Sequence, residues 1–357
     1  MSGRALRRGP LRLVLAMALV VAPSLLGSSP AAADPSVWAR ARDPDLARRD
    51  AAIKEVESLL LRYERLQDDA HYPEQYRATV ASLALRDARK ILEQAGARTS
   101  RDPMLRYRLA QVLYDLRDYP GALEVYASIA RSPSLPAPFR ASALSALGTC
   151  YAHVGRRDEE IKAYTEALAL TATGASRATI LANRAEAFMG RGDLTEAIQG
   201  YREALAALSS AHPVEMILNG VTPLWGLGVA LDRAGDLEGA LRSIRLAREY
   251  DPNDQQLNRP GWFYSPPHDE AWYAALGHWT RARQATVESP RADAFARAIE
   301  AWERYIETAP EGDAWVPLAK ARLRACEKER DLQRKKVVIK TRQSPQLNGR
   351  RTKSAAP

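Results

Sequence analysis

The sequence predicts an all-α protein, a right-handed α-solenoid of helix–turn–helix repeats flanked by irregular terminal helices. Two observations predict it. Leu, Ala, Arg and Glu dominate the 357 residues while Ile, Val, Thr and Phe are few. Straight side chains lose little freedom in a helix, and β-branched ones lose more. In addition, one arrangement of small residues, glycines and acids recurs at a constant internal spacing, as expected of an architecture assembled from repeats.

The N-terminus reads as a separate object. Residues 1–12 carry four arginines and no acid, Leu13 to Leu26 form an apolar run, and Ala31-Ala32-Ala33 follow. A basic start, a short apolar centre and an A-x-A end describe a secretory signal peptide. The run is too short to span a bilayer comfortably and Pro23 interrupts it, which favours a cleaved signal over the alternative, an uncleaved membrane anchor. No cysteine near Ala33 suggests lipid modification. Residues 1–33 are therefore expected to be cleaved, placing a mature chain without a transmembrane span in the periplasm or cell envelope. Asp50–Asp68 and Gln75–Gly96 then read as amphipathic helices of an N-terminal flank, 34–96.

The repeats occupy 97–252, at about 103–136, 141–174, 178–211 and 221–252. In the last three, the first helix carries a small residue one turn before a ring or Leu: Gly148 and Tyr151, Ala185 and Phe188, Gly228 and Leu231. A glycine closes that helix (Gly155, Gly192, Gly235) because it accepts the left-handed conformation cheaply. An acid opens the next (Asp158, Asp193, Asp236), where it favours the dipole and can cap free N–H groups. The intervals Gly148–Glu160, Ala185–Ala197 and Gly228–Ala240 are each 12 residues. Ala110–Ala122 repeats that interval in the first copy, whose second helix starts at Asp118-Tyr119-Pro120. The small residue should let two antiparallel helices approach, with the neighbouring ring filling the space beside it.

Residues 253–327 are an altered end of the array. Pro252, Pro260, Pro266 and Pro267 forbid continuous helix. The segment Gly261–Tyr273, GWFYSPPHDEAWY, holds five of the chain's aromatic residues. Gly277 and Ala298, 21 residues apart, mark a fifth unit with an enlarged turn or lengthened helices. Trp315–Lys328 reads as a closing helix. The tail 328–357 starts as helix, loses apolar periodicity after Val338 and reads as largely disordered.

Charge is unevenly placed. The formal net charge is +9, yet Lys328–Pro357 holds ten basic and two acidic residues, and the body from Asp34 to Glu327 is slightly acidic. The high pI thus belongs to the tail, which could touch an anionic surface. No nucleic-acid partner is expected. Cys150 and Cys326 sit on different helices and read as small buried apolar side chains rather than a disulfide.

Motifs for catalysis are missing. The histidines His71, His153, His212, His268 and His278 are scattered without metal-ligand spacing. There is no G-x-S-x-G, phosphate loop or H-E-x-x-H. His268-Asp269-Glu270 lies at a helix start, where acids are expected anyway. The chain reads as a non-enzyme with no cofactor and no metal.

The repeat grammar resembles the tetratricopeptide repeat, a helix–turn–helix unit of 34 residues, over about residues 75–327 and most strongly over 141–252. Glu160 departs from it, standing where other copies have Ala, as does Arg184, which replaces an apolar residue. Small residues of successive units lie 37 to 49 apart, so the connections are long. The resemblance implies a concave groove of first helices that binds protein partners. Candidate groove residues are Tyr107, Gln111, Tyr114, Ser145, Thr149, Asn183 and Glu186. One subclass of the family grips a C-terminal carboxylate with lysines, arginine and asparagines. Asn183 matches one such position, but Ser145, Thr149, Thr222 and Gly226 do not complete the set. Trp262, Phe263 and Tyr264 either seal the joint between units or form an aromatic anchor for a partner. The reading that follows is a scaffold for protein assembly in a bacterial cell envelope. The alternative is a cell-wall or other polymer-binding accessory module using the connector and tail.

Overall fold

A computed structural model describes residues 44–68, 71–172, 174–208, 212–258 and 263–343. The segment expected to be a signal peptide, Trp262 and the end of the basic tail lie outside the described residues. Among those residues the regular structure is helical, with no strand. In order the α-helices are α1 (Pro44–Asp68), α2 (Glu74–Gln94), α3 (Pro103–Asp115), α4 (Tyr119–Ala130), α5 (Ala137–His153), α6 (Arg157–Ala169), α7 (Gly174–Arg191), α8 (Leu194–Ala206), α9 (Val221–Arg233), α10 (Leu237–Tyr250), α11 (Asp269–Gln284), α12 (Glu288–Thr308) and α13 (Val316–Gln343). A helical turn at Pro213–Glu215 and a π-helix at Met216–Gly220 lead into α9. The chain forms two compact units that divide between Ala187 and Phe188, inside α7.

In the first unit, consecutive helices from α1 to α6 pack on one another. Their ends follow from local chemistry. The Asp102 carboxylate accepts from the Met104 N–H at 2.8 Å to open α3, and Asp118 accepts from the Gly121 N–H at 3.0 Å to open α4. Gly155 closes α5 at φ 71°, and the N–H of Arg156 reaches back to the Tyr151 carbonyl. The same turn recurs at Gly192 and Gly235, with N–H groups of Asp193 and Asp236 bonding to Phe188 and Leu231. The first repeat keeps this geometry without glycine. Asp118 N–H bonds to Leu113 O, and Arg117 takes the left-handed conformation at φ 62°.

The small residues act across helices rather than within one. The ring of Tyr164 on α6 fills the space over Gly148. Tyr151, the same-helix ring expected there, instead lies half-buried under the Arg156 guanidinium. A residue three positions on shares its helix's outward direction, whereas the antiparallel partner points straight into the gap.

In the second unit α8 packs with α9, α9 with α10, α11 with α12 and α12 with α13. Its core is built on Trp225, Trp272, Trp279 and Trp302, all at most 2% exposed. Gly226 receives Tyr201, Gly228 receives Ile244 and Gly277 receives Trp225. The enlarged fifth unit resolves into longer helices. α11 and α12 span 16 and 21 residues, with only three residues between them. Between α10 and α11, Asp254 accepts from Arg248 and Arg281, which pins the proline-rich connector at its start. α13 continues to Gln343, past Lys328. Cys150 and Cys326 are buried free thiols.

Candidate functional site

The predicted groove residues of the first unit fall on α3, α5 and α7. Tyr107 stands edge-on to Tyr126 with centroids 5.3 Å apart and touches Phe139 at 5.4 Å. Seven residues on, the Tyr114 hydroxyl lies 2.9 Å from His153 Nε2. Phe139 opens α5 and His153 closes it, so α3 and α5 run in the same direction side by side. His153 also stacks on Tyr119, centroids 4.3 Å apart and planes 6° apart. Burial, then the nearby Arg117 cation, lowers the His153 pKa, which favours the neutral ring. Burial likewise pushes the Tyr107 and Tyr114 phenols up. The result is a face of half-buried neutral rings fixed by their neighbours.

Two of the polar candidates, Gln111 and Thr149, are tied to neighbours by hydrogen bonds. Gln111 accepts from Arg108 at 3.2 Å. Thr149 hydrogen-bonds the Ser145 carbonyl and the Tyr164 hydroxyl, at 3.2 and 3.1 Å. Ser145, Asn183 and Glu186 are half-buried. Glu186 lies within electrostatic reach of Glu160, the residue that departs from the repeat pattern. Glu160 is 2% exposed and pairs with Arg157 at 2.7 Å. Burial raises its pKa to about 7, against the opposing pull of Arg157, with Glu186 adding to the rise.

In the second unit Phe263 and Tyr264 are half-buried. Tyr264 meets the buried ring of Tyr273 edge-on at 5.2 Å, so it covers the core of α11. Trp262 lies outside the described residues.

Sequence reasoning missed a buried charge network in this unit. Arg322 donates to Asp232 at 2.6 Å, and Trp272 Nε1 donates to its second oxygen at 3.1 Å. Beside them Arg233 donates to Asp269 at 2.6 Å, its guanidinium 4.9 Å from the Trp272 ring centre and 5.1 Å from Trp315. Asp313 accepts from the Tyr305 hydroxyl at 3.1 Å and the Trp315 N–H at 2.8 Å, and lies 3.2 Å from His268 Nε2. Burial raises the Asp232 pKa against the two arginines. A signal was present: Asp232 stands where the two preceding repeats have Ala152 and Met189. The network joins α9, α11 and α13, and it reads as a clamp on the second unit's core. No group of three His, Cys, Asp or Glu able to hold a metal occurs among the described residues, and none of their helices is long and apolar enough to cross a membrane.

Helix pairs closed by a left-handed residue, each seating a large side chain over a small one, are tetratricopeptide-like. No protein-family profile matches the sequence, and no curated protein matches it. Similar solved structures include BtubC (BKLC) from P. vanneervenii, 19% identical, covering 60% of this chain and 93% of that one at TM-score 0.45. MamA is 16% identical, covering 51% and 96% at TM-score 0.38. The APC/C hetero-tetramer Cut9–Hcn1 is 12% identical, covering 79% and 48% at TM-score 0.44. Likeness at this level leaves the functional argument to the chain's own residues.

Proposed function

We propose that this protein is an exported, non-enzymatic scaffold of the bacterial cell envelope that holds a protein partner on the α3–α5 face. The observation that carries the reading is the row of half-buried rings Tyr107, Tyr114 and His153, packed against the buried Tyr126 and the half-buried Phe139 and Tyr119. Tyrosine anchors on a rigid base lose little freedom on binding and give large contact area. Catalysis asks for convergent groups in an enclosed frame, whereas this face offers neutral rings already bonded to each other. The basic, apolar and small-residue order of residues 1–33 motivates export.

The test is photo-crosslinking in the native envelope from a probe at position 107 or 114, with a probe at exposed Leu246 as the control. One and the same protein crosslinked from both face positions, and not from 246, is expected. Crosslinks that are diffuse or equal at all three positions refute the face. N-terminal sequencing of the envelope-located chain should begin at Asp34; a chain retained in the cytoplasm refutes export.

A further inference from the structure

A cleft of about 270 Å³ opens in the second unit between α11 and α12. Its lining includes His278 and Arg281 from α11, and Arg297 and Asp293 from α12. Arg248 and Arg304 add their charge at His278. Arg248 and Arg281 share one carboxylate, Asp254. Arg297 and Arg304 are exposed, and neither joins an ion pair among the described residues. Arg283 offers a contrast on the same helix as His278, being held by both Glu238 and Glu329.

We propose that this cleft and the exposed α12 surface leading from it bind the acidic side chains of an extended partner segment, with Arg297 in the cleft and Arg304 two turns beyond it as the carboxylate-binding residues. The assignment rests on the scaffold reading and names the chemistry of one partner contact. Seven residues along α12 place the two arginine Cα atoms about 10 Å apart on one face, and two separate cations, unpaired among the described residues, complement a segment that carries several carboxylates. Alternate side chains of an extended chain stand about 7 Å apart, within reach of both forks. Guanidinium groups suit carboxylates because they offer paired donors in one plane.

His278 provides an internal reporter. Burial, followed by Arg281, Arg297, Arg248 and Arg304, holds its pKa down to about 4. Asp251 and Asp254 are the acids of the connector, Asp293 is the acid of the cleft lining, and Glu300 and Glu307 lie one turn either side of Arg304 on α12. Carboxylates arriving beside Arg297 would offset the cations and move the His278 pKa upward.

The experiment titrates the full chain with a labelled Glu-Ser-Glu-Ser-Glu-Ser peptide, a Lys-Ser counterpart and inorganic phosphate, following anisotropy and the His278 ring resonances. Salt-sensitive binding of the acidic peptide that raises the His278 pKa is expected. Arg297→Glu with Arg304→Glu should weaken it at least tenfold, while Arg242→Glu with Arg245→Glu on α10 leaves it within twofold, all variants melting as the parent does. An unmoved His278, or equal weakening by both double variants, means the peptide follows bulk charge such as the basic tail, and overturns the proposal. Phosphate binding as tight as the peptide's overturns the assignment to a segment. Crosslinking from position 114 proceeds independently, so failure there and failure here are separate results.

Discussion

The ring of Tyr164 occupies the space that a β-carbon on Gly148 would need, its Cε1 lying 2.5 Å from that position. Tyr164 is 2% exposed and its hydroxyl is held by Thr149, so the ring has nowhere to retreat. Gly148→Ala should therefore destabilise by about 1–3 kcal/mol, the usual cost of overpacking. Thermal melts check it. A variant melting with the parent would mean that α5 and α6 can slide apart.

Arg117 carries the opposite opportunity. It holds a left-handed conformation that glycine holds at the equivalent turns, and its side chain is exposed. A non-glycine residue there costs about 1–2 kcal/mol, part of which glycine returns as unfolded-state entropy. Arg117→Gly is expected to stabilise the chain by roughly 0.5–1 kcal/mol, read as a raised melting temperature. A lowered one would show that Arg117 contributes contacts outweighing its backbone strain.

Glu160 should make stability depend on pH. Its folded pKa, about 7, lies above the ordinary 4.5. The folded chain binds more protons than the unfolded chain between those values. The stabilising contribution is thus full below about pH 4.5 and is lost as pH rises through 7. Glu160→Gln should match the parent near pH 4.5 and exceed it by up to about 3 kcal/mol at pH 8, because each step of one in pH between the two values is worth about 1.36 kcal/mol. Urea midpoints of both proteins at several pH values decide the matter. A constant difference between them would place the titration elsewhere.

Removing one member of the Arg233–Asp269 pair should be costly, because both side chains are at most 2% exposed. Arg233→Met leaves a buried carboxylate uncompensated and is expected to cost about 3–5 kcal/mol. Adding Asp269→Leu should recover most of that loss. If the double variant is no better than the single, the arginine acts mainly by packing between Trp272 and Trp315.

Both thiols should be inert in the folded chain. Burial pushes Cys150 and Cys326 up to about 12, leaving almost no thiolate at pH 8. Iodoacetamide followed by mass spectrometry should label neither until denaturant is added. Rapid native labelling of either would reveal local opening of its helix.

The helices and their ends were legible in the sequence because the signals that set them are local. Gly155, Gly192 and Gly235 each end a helix in the left-handed region, and Asp118 and Asp236 each accept from the N–H three residues on. These effects act within one turn, so neighbouring residues carry them. Candidate surface residues were legible only as positions on first helices. Their partners were not: nothing near Tyr114 in the sequence announces His153, 39 residues away.

By itself the sequence determined an all-helical chain of repeated helix pairs and the placement of the turns at Gly155, Gly192 and Gly235. The tertiary structure decided which helix fills which gap. It set Tyr201 against Gly226 and Trp225 against Gly277, rather than any ring of the same helix. It also decided how buried charge is compensated, bringing Arg322 to Asp232 across 90 residues. The division has a physical reason. Backbone conformation and capping depend on interactions a few residues long, and composition encodes them directly. Packing and the pairing of buried charges depend on which distant surfaces meet, and the repeat pattern leaves that choice open.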